Sequence, residues 1–488
     1  MKLSQLMRDI VRPDFEQDIE GITCDSRRVK PGWAFMCING VKMDGHDYAR
    51  QASEAGAVAI IAERDTGCPH QVLVPASRSA WARMCANWFG RPAERLHLVG
   101  ITGTNGKTTV SYMLKGILEA CGHKVGLVGT IQNMIGDRAL PSGHTTPDPY
   151  DLQSMLALML AEGCTYAVME VSSHALDQDR VEGCYFDAAV FTNLTQDHLD
   201  YHGTMENYLQ AKKRLFRICR TAVINRDDSW SSQMTEGLEC PVVTYSIGND
   251  KADYTARNVC PRPDGSDFEL VGARDIGRVR LMIPGQFSVY NAMAAASCAC
   301  VLGLPLRRVA EALGEIKGVR GRAEIVPTGR DFTIVIDYAH TPDGLVNICR
   351  TMRECCAGRL VTLFGCGGDR DKGKRPQMGQ IAAQWSDFLV VTSDNPRTEE
   401  PLKIIEDILA GIQGGKTPYK VVENRPAAIR WAIENARPGD TLLLAGKGHE
   451  TYQVVGTEIH HMDEREIVSE ILESLSGPPE GGPPAAKG

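Results

Sequence analysis

The residues best suited to chemistry lie in Leu96-His-Leu-Val-Gly-Ile-Thr-Gly-Thr-Asn-Gly-Lys-Thr-Thr109, where an apolar run breaks into glycines, a lysine and hydroxyls. After the break, Val110, Leu114, Ile117 and Leu118 recur at the spacing of one buried helix face. The order strand, tight loop, helix aims backbone N–H groups and a helix N-terminus at an anion, with lysine and threonine serving phosphate and Mg²⁺. Gly103, Thr104, Asn105, Gly106, Lys107, Thr108 and Thr109 therefore point to a nucleoside triphosphate. The loop departs from the standard phosphate-loop pattern, because the position five before Gly106 is Ile101 rather than glycine.

Two further side chains fit that chemistry. Glu170 ends the apolar run Tyr166–Val171, where a carboxylate can hold Mg²⁺ against the β- and γ-phosphates beside the hydroxyl of Thr108. His198 offers a nitrogen ligand, although oxygen is the more usual partner of Mg²⁺. Taken alone, both are hydrogen-bonded strand-end residues; the triphosphate loop turns the reading toward catalysis. Lys212 is harder to read, since by composition Ala211-Lys-Lys-Arg-Leu-Phe216 supports only a helix with a solvated basic face.

The elements that must position these groups repeat an α/β alternation. A chain of 488 residues exceeds one ordinary domain. Residues 1 to about 92 give short strands ending near Arg27, over Trp33–Ile38 and Ala57–Ala62, with a helix around Tyr48–Ala55. Trp88-Phe-Gly-Arg-Pro92 forms the join to the next domain. From 93 to 318, candidate strands Lys124–Gly129, Tyr166–Val171, Ala188–Thr192 and Ala222–Asn225 imply a largely parallel sheet, with ligands at its carboxyl ends. A helix is expected over Tyr208–Ile218. From 319 to 476 the alternation restarts at Phe332–Asp337, Arg359–Phe364, Phe388–Ser393 and Thr441–Ala445. Residues 477–488 are too rich in Pro and Gly to pack and read as a disordered tail. No short-period repeat stands out.

Composition narrows the classes. Hydrophobic content of 43% and charged content of 23% are ordinary for a soluble globular protein. A formal net charge of -8 argues against a nucleic-acid binder, so an anionic substrate needs locally placed Arg, Lys and helix N-termini. The N-terminus lacks the apolar core of a signal peptide, and no apolar segment is long enough to cross a bilayer, so a cytoplasmic location is expected. The 16 cysteines are scattered without C-x-x-C zinc spacing and read as mostly buried, reduced thiols.

Longer motifs carry a resemblance that spans the chain except its final tail. Gly103–Thr108, Met169-Glu-Val-Ser-Ser-His-Ala-Leu176, Thr192-Asn-Leu through Asp197-His-Leu-Asp-Tyr-His-Gly203 and the Ala211–Phe216 frame are similar to those of the Mur ligases. So are Asp337-Tyr-Ala-His-Thr-Pro342, Gly365-Cys-Gly-Gly-Asp-Arg370, Asp394-Asn-Pro-Arg397 and Gly446-Lys-Gly-His-Glu450. The resemblance implies three domains: a small N-terminal α/β domain for a uridine nucleotide, a central phosphate-loop ATPase domain with a mostly parallel sheet, and a C-terminal Rossmann-like domain. It implies ATP-dependent ligation in peptidoglycan precursor synthesis, with Mg²⁺ held by Thr108, Glu170, His198 and a CO₂-derived carbamate on Lys212. A monomer with no nucleic-acid partner is expected.

The same resemblance distributes the remaining residues. Lys107, Glu170, His198 and Lys212 take the catalytic positions, and Asn291, Arg322 and Asp337 surround ATP, with His340 near them. A nucleotide-sugar dipeptide, UDP-MurNAc-L-Ala-D-Glu, falls to Cys24, Ser26, the loop Val41, Lys42 and Met43, then His144, Thr145, Thr146, Ser172, Gln178 and Arg180. The incoming amino acid falls to Arg370, Asp394, Asn395, Pro396, Arg397, Gly446 and Glu450. Read alone, Asp394–Arg397 is a turn; within the family these four residues mark use of meso-diaminopimelate. A guanidinium at Arg397 can take its distal carboxylate in a two-pronged ion pair, and Glu450 can hold its ammonium end. The rivals are the same reaction with L-lysine, glutamate addition to folate, a phosphate-loop ATPase or kinase without ligase activity, and a regulatory protein with a dead centre.

Overall fold

The computed structural model describes residues 1–40, 43–262 and 265–475; the expectations for Val41, Lys42 and the 477–488 tail lie outside the described residues. Among the described residues, three large sheets follow one another along the chain, and a two-stranded antiparallel hairpin, Tyr452–Val455 with Glu458–His461, comes after the third. The first holds four parallel strands in sequence order: Gly21–Thr23, Trp33–Met36, Ala59–Ala62 and Gln71–Leu73. Helix Ser77–Trp88 closes its core, with Trp81, Met84 and Cys85 packed on Leu3, Leu6, Ile22 and Met36.

The central sheet runs to eleven strands, and its order decides where chemistry can happen. His97–Thr102 lies between Ala188–Phe191 and Tyr166–Glu170, all parallel. Val125–Val128 extends the parallel block on one side. Ala222–Asn225, Val242–Ile247 and Tyr254–Arg262 extend it on the other. Antiparallel strands finish both edges: Asn133–Ile135 and Arg138–Leu140, then Gly265–Val271 and Ile276–Leu281. Helices Lys107–Ala120 and Gln286–Val301 cover one face together; fully buried Ala292, Ala294, Ala295 and Ala296 let the second approach closely.

The third sheet has the order Glu324–Val326, Thr333–Asp337, Thr441–Ala445, Leu360–Phe364, Phe388–Val391 and Tyr419–Val421, parallel except for its first strand. Register puts Asp337 opposite Ala445, so the loops after both strands open on the same edge.

Several expectations need correction. The basic helix is Met205–Lys213, capped by Thr204 Oγ1 accepting from Asn207 N–H, and it tightens into a 3₁₀ turn over Arg214–Arg217 instead of continuing to Ile218. Its lysines are not solvated: Lys212 is 1% exposed and Lys213 8%. A 3₁₀ turn Gly45–Tyr48 precedes helix Ala49–Glu54, because the Asp44 carboxylate accepts from His46 N–H and starts the turn earlier. The first strand ends at Thr23 rather than near Arg27, because the Asp25 carboxylate accepts from Arg27 N–H and starts a 3₁₀ turn over Ser26–Arg28. The other expected strands match or end within two residues of the expected limits.

Candidate active site

The loop after Thr102 takes its shape from two glycines and two neighbouring strand ends. Gly103 has φ +150° and Gly106 φ +88°, and a Cβ would overlap Thr192 Oγ1 at the first and Asn291 Oδ1 at the second. Thr192 Oγ1 donates to Asn105 O at 2.6 Å, and Asn105 N–H donates to Asn193 Oδ1 at 2.9 Å. The segment after Ala188–Phe191 thus moulds the loop that follows His97–Thr102.

Two lysines converge on one carbonyl of that loop. Lys107 Nζ donates to Gly103 O and Thr104 O, each at 2.9 Å. Lys212 Nζ donates to Gly103 O at 2.8 Å and lies 4.4 Å over the Tyr208 ring, while Lys213 points away to Gln233 O. Burial lowers the pKa of both Lys107 and Lys212, and the charge of Lys107 pushes Lys212 down further. A neutral amine at Lys212 is the form favoured by these surroundings.

Glu170 is fully buried and accepts from three donors. Its Oε2 accepts from Thr108 Oγ1 at 2.8 Å and Thr130 Oγ1 at 2.9 Å, and its Oε1 from Thr130 N–H at 2.9 Å. Thr108 in turn accepts from Arg322 Nη2 at 3.2 Å, a bond from the third domain into the phosphate loop. His198 stands at φ +53°, with its ring 4.9 Å from that of His174 and its Nε2 3.4 Å from Asp197. Burial, joined by the charges of His174, Lys107 and Lys212, pushes its pKa down to about 4 against the pull of Asp197, so the ring is neutral at physiological pH. Among the described residues, no three His, Cys, Asp or Glu side chains converge as a ready-made metal cage. The donor set nonetheless suits a hard cation, with a hydroxyl and a carboxylate already in contact, and a neutral imidazole and a loop shaped for phosphate oxygens on the same cleft.

The third domain faces this loop across a cleft of about 480 Å³. Phosphate-loop residues, Glu170, His198 and Asn291 line one side, and Arg322, Asp337 and His340 the other. Asp337 accepts from Ala323 N–H at 2.7 Å and Ala339 N–H at 2.8 Å, and burial raises its pKa. The Arg322 guanidinium lies 4.7 Å over Tyr338, and Lys374 Nζ donates to His340 O at 2.9 Å. Asp343, passed over in the sequence, joins the two domains by accepting from Asn105 Nδ2 at 2.8 Å. Lys212 does not line this cleft; it sits behind Gly103.

Thr145, Thr146, Ser172, Gln178 and Arg180 gather beside Glu170. Thr146 Oγ1 donates to Glu170 O at 2.8 Å and accepts from Ser172 N–H at 3.1 Å. Arg180 donates to Thr146 O at 3.0 Å and to Gln178 Oε1, and Thr145 Oγ1 is 3.0 Å from Thr130 Oγ1. His144 borders a separate cavity of about 300 Å³ against helix Pro149–Ala161. Cys24, Ser26 and Met43 belong to the N-terminal domain, where Cys24 and Met43 are exposed, and line neither cavity.

The remaining candidates cluster at the carboxyl edge of the third sheet. Arg397 adopts φ +51°, its backbone pinned by Val454 O at 3.1 Å and by Gly456 N–H at 2.7 Å, and its Nη1 donates to Gly368 O at 2.7 Å. Arg370 is exposed and flanks Gly367 with Arg397. Gly368 N–H donates to Asn395 O at 2.9 Å, so that loop packs along Asn395–Pro396. Asn395 Nδ2 donates to Glu450 Oε2 at 2.9 Å, and Gly446 lies against Asp394. Tyr338, Thr130 and Lys447 also belong to these networks. Lys447 stood inside the Gly446–Glu450 motif, but a lysine between glycines reads as exposed.

A phosphate loop served by two lysines, one of them buried, and facing an arginine and a carboxylate from a second α/β domain, belongs to a chain that matches three family models in order. They are the Mur ligase family catalytic domain over 18–81, the Mur ligase middle domain over 101–299 and the Mur ligase glutamate ligase domain over 321–448. The chain belongs to the Mur ligase family, whose members are ATP-dependent amide ligases. It is 50% identical over 479 residues to UDP-N-acetylmuramoyl-L-alanyl-D-glutamate–2,6-diaminopimelate ligase of Caldanaerobacter subterraneus subsp. tengcongensis, covering 97% of this chain and 99% of that one. To the ligase of the same name from Syntrophomonas wolfei subsp. wolfei it is 45% identical, with 97% and 99% covered. A solved structure of a ligase with that name superposes with a TM-score of 0.72 at 33% identity, covering 98% of this chain and all of the other. Folylpolyglutamate synthase of Mycobacterium tuberculosis shares the fold, with a TM-score of 0.64 at 18% identity over 75% of this chain and 91% of that one. Among the described residues, no helix is long and apolar enough to cross a membrane.

Proposed function

We propose that this chain adds meso-diaminopimelate to the γ-carboxylate of D-glutamate in UDP-MurNAc-L-Ala-D-Glu, with ATP and Mg²⁺, as a cytoplasmic monomer. The reading is supported by full-length identity of 45–50% to ligases of that name. The observation that carries it is the cleft in which Lys107, Thr108 and Glu170 face Arg322 and Asp337, with Asn395, Arg397 and Glu450 on the same sheet edge as Asp337.

In this reading the γ-phosphoryl of ATP passes to the glutamate carboxylate to give an acyl phosphate and ADP. The diaminopimelate amine then attacks the acyl carbon, and the tetrahedral intermediate collapses to amide and phosphate. Lys107 and the loop N–H groups hold the transferring phosphoryl group, and Arg322 brings charge from the third domain, so catalysis is mostly positioning and charge stabilisation. Thr108, Glu170 and His198 would hold Mg²⁺, which would supply charge neutralisation at the phosphates. The amine form of Lys212, which burial favours, suits addition of CO₂ with release of one proton to solvent, and the resulting carbamate would offer an anionic oxygen donor. Thr145, Thr146, Ser172, Gln178 and Arg180, beside Glu170, place the dipeptide end of the nucleotide. His144, Cys24, Ser26 and the Val41–Met43 loop serve the rest of it. The domain joins are taken at about residues 92 and 318.

The test is ADP release by the purified chain given ATP and UDP-MurNAc-L-Ala-D-Glu, with meso-diaminopimelate and L-lysine offered side by side. Release that requires both the nucleotide and diaminopimelate supports the reading. ATP consumption indifferent to the nucleotide, or preference for L-lysine, overturns it.

A further inference from the structure

Lys447 is 0% exposed, yet its ammonium touches two groups assigned above to the amino-acid substrate. Its Nζ donates to Glu450 Oε2 at 2.6 Å and to Asn395 Oδ1 at 2.9 Å, and lies 5.2 Å over the Tyr452 ring. Asn395 Nδ2 donates to the same Glu450 oxygen at 2.9 Å, and Val454 N–H donates to Asn395 Oδ1 at 2.9 Å. With two donors aimed at one end of the Asn395 amide, a flipped amide would set NH₂ against both, so a single orientation survives. Glu450 Oε2 is occupied by Lys447 and Asn395, whereas Oε1 has only Tyr338 Oη at 3.4 Å.

We propose that Lys447 is a positioning residue for the zwitterionic end of the incoming amino acid, presenting Glu450 Oε1 to its ammonium group and locking the Asn395 amide. The proposal rests on the diaminopimelate reading of Asn395, Arg397 and Glu450. Lys447 touches no substrate; it acts through the two side chains it holds. A merely structural lysine, neutralising a buried carboxylate, would affect all substrates alike.

The test is steady-state kinetics of the full chain carrying Lys447→Met, which keeps the length of the stem without the charge. The expected result is a KM for meso-diaminopimelate raised about 30-fold, with kcat within about 3-fold and the KM for ATP and nucleotide unmoved. In a Glu450→Gln background the same change adds less than about 3-fold, because the two side chains act as one unit. Lys447→Gln retains a donor toward Glu450 and gives an intermediate KM; it also serves if Lys447→Met does not fold. An unchanged KM in folded variants, an equal loss for every substrate, or multiplying effects in the double variant overturns the proposal. A parent chain whose ADP release ignores diaminopimelate fails the functional reading itself and removes this role with it.

Discussion

Replacement of Arg397 tests how the amine is chosen. The residue holds its backbone at φ +51° through bonds to Val454 and Gly456, none of which involves the guanidinium. Arg397→Lys and Arg397→Gln therefore keep the loop path, at similar backbone strain, while removing the fork. One nitrogen is committed to Gly368 O at 2.7 Å, which fixes the plane of the group and leaves its other edge for a carboxylate. Losing a charge-assisted bond to that carboxylate costs about 1.5–3 kcal/mol, or about 10- to 150-fold in kcat/KM for meso-diaminopimelate. L-lysine has no distal carboxylate, so its slow turnover should move by less than about 3-fold. The assay is ADP release at varied amino acid, with thermal melting to show that both variants fold. Undiminished kcat/KM for meso-diaminopimelate, or an equal fall for L-lysine, would refute the reasoning.

Lys212→Ala should lower activity by about 100- to 1,000-fold, as expected when charge stabilisation at a transferring group is lost. A short carboxylic acid should restore part of it, and normal activity without the lysine would remove its proposed role. Gly106→Ala forces a side chain onto φ +88° and against Asn291 Oδ1, so it should cost about 1–3 kcal/mol and raise the KM for ATP; an unmoved KM would count against the loop assignment. The His449 ring has a buried Nδ1 without a partner, and burial together with the charges of Arg322, Arg465 and Arg320 pushes its pKa down to about 3; burial lowers His340 as well. The unfolded chain takes up these protons near pH 6.5 and the folded chain only below that. The contribution of both rings is complete above pH 6.5 and falls away below it; the His449 part is lost as pH falls toward 3, by up to about 1.4 kcal/mol per pH unit. Melting temperatures that stay flat from pH 7 to pH 4 would contradict this.

The strands that carry the candidate site were legible because both faces of a parallel sheet are covered, which leaves nearly unbroken apolar runs such as Leu98–Thr102 and Ala167–Met169. The edge of the central sheet was missed. Ile276–Leu281 alternates exposed and buried residues in strict period two, the signal of a half-covered strand, but its arginines mask the apolar positions. The helix from Gln286 to Val301 is buried so fully that it shows no polar stripe to mark its faces, though Asn291 was recognised by motif.

Residue type and spacing were enough to establish a phosphate loop, a strand-end carboxylate and an α/β alternation, since each depends on contacts between near neighbours in the chain. What only the tertiary structure decided is that Lys212 reaches Gly103 O, that Arg322 and Asp343 bridge two domains, and that Lys447 lies under Asn395. Those contacts join residues 52 to 238 positions apart. Local sequence carries no signal for them, because burial of a charged side chain is set by the partners that folding brings to it.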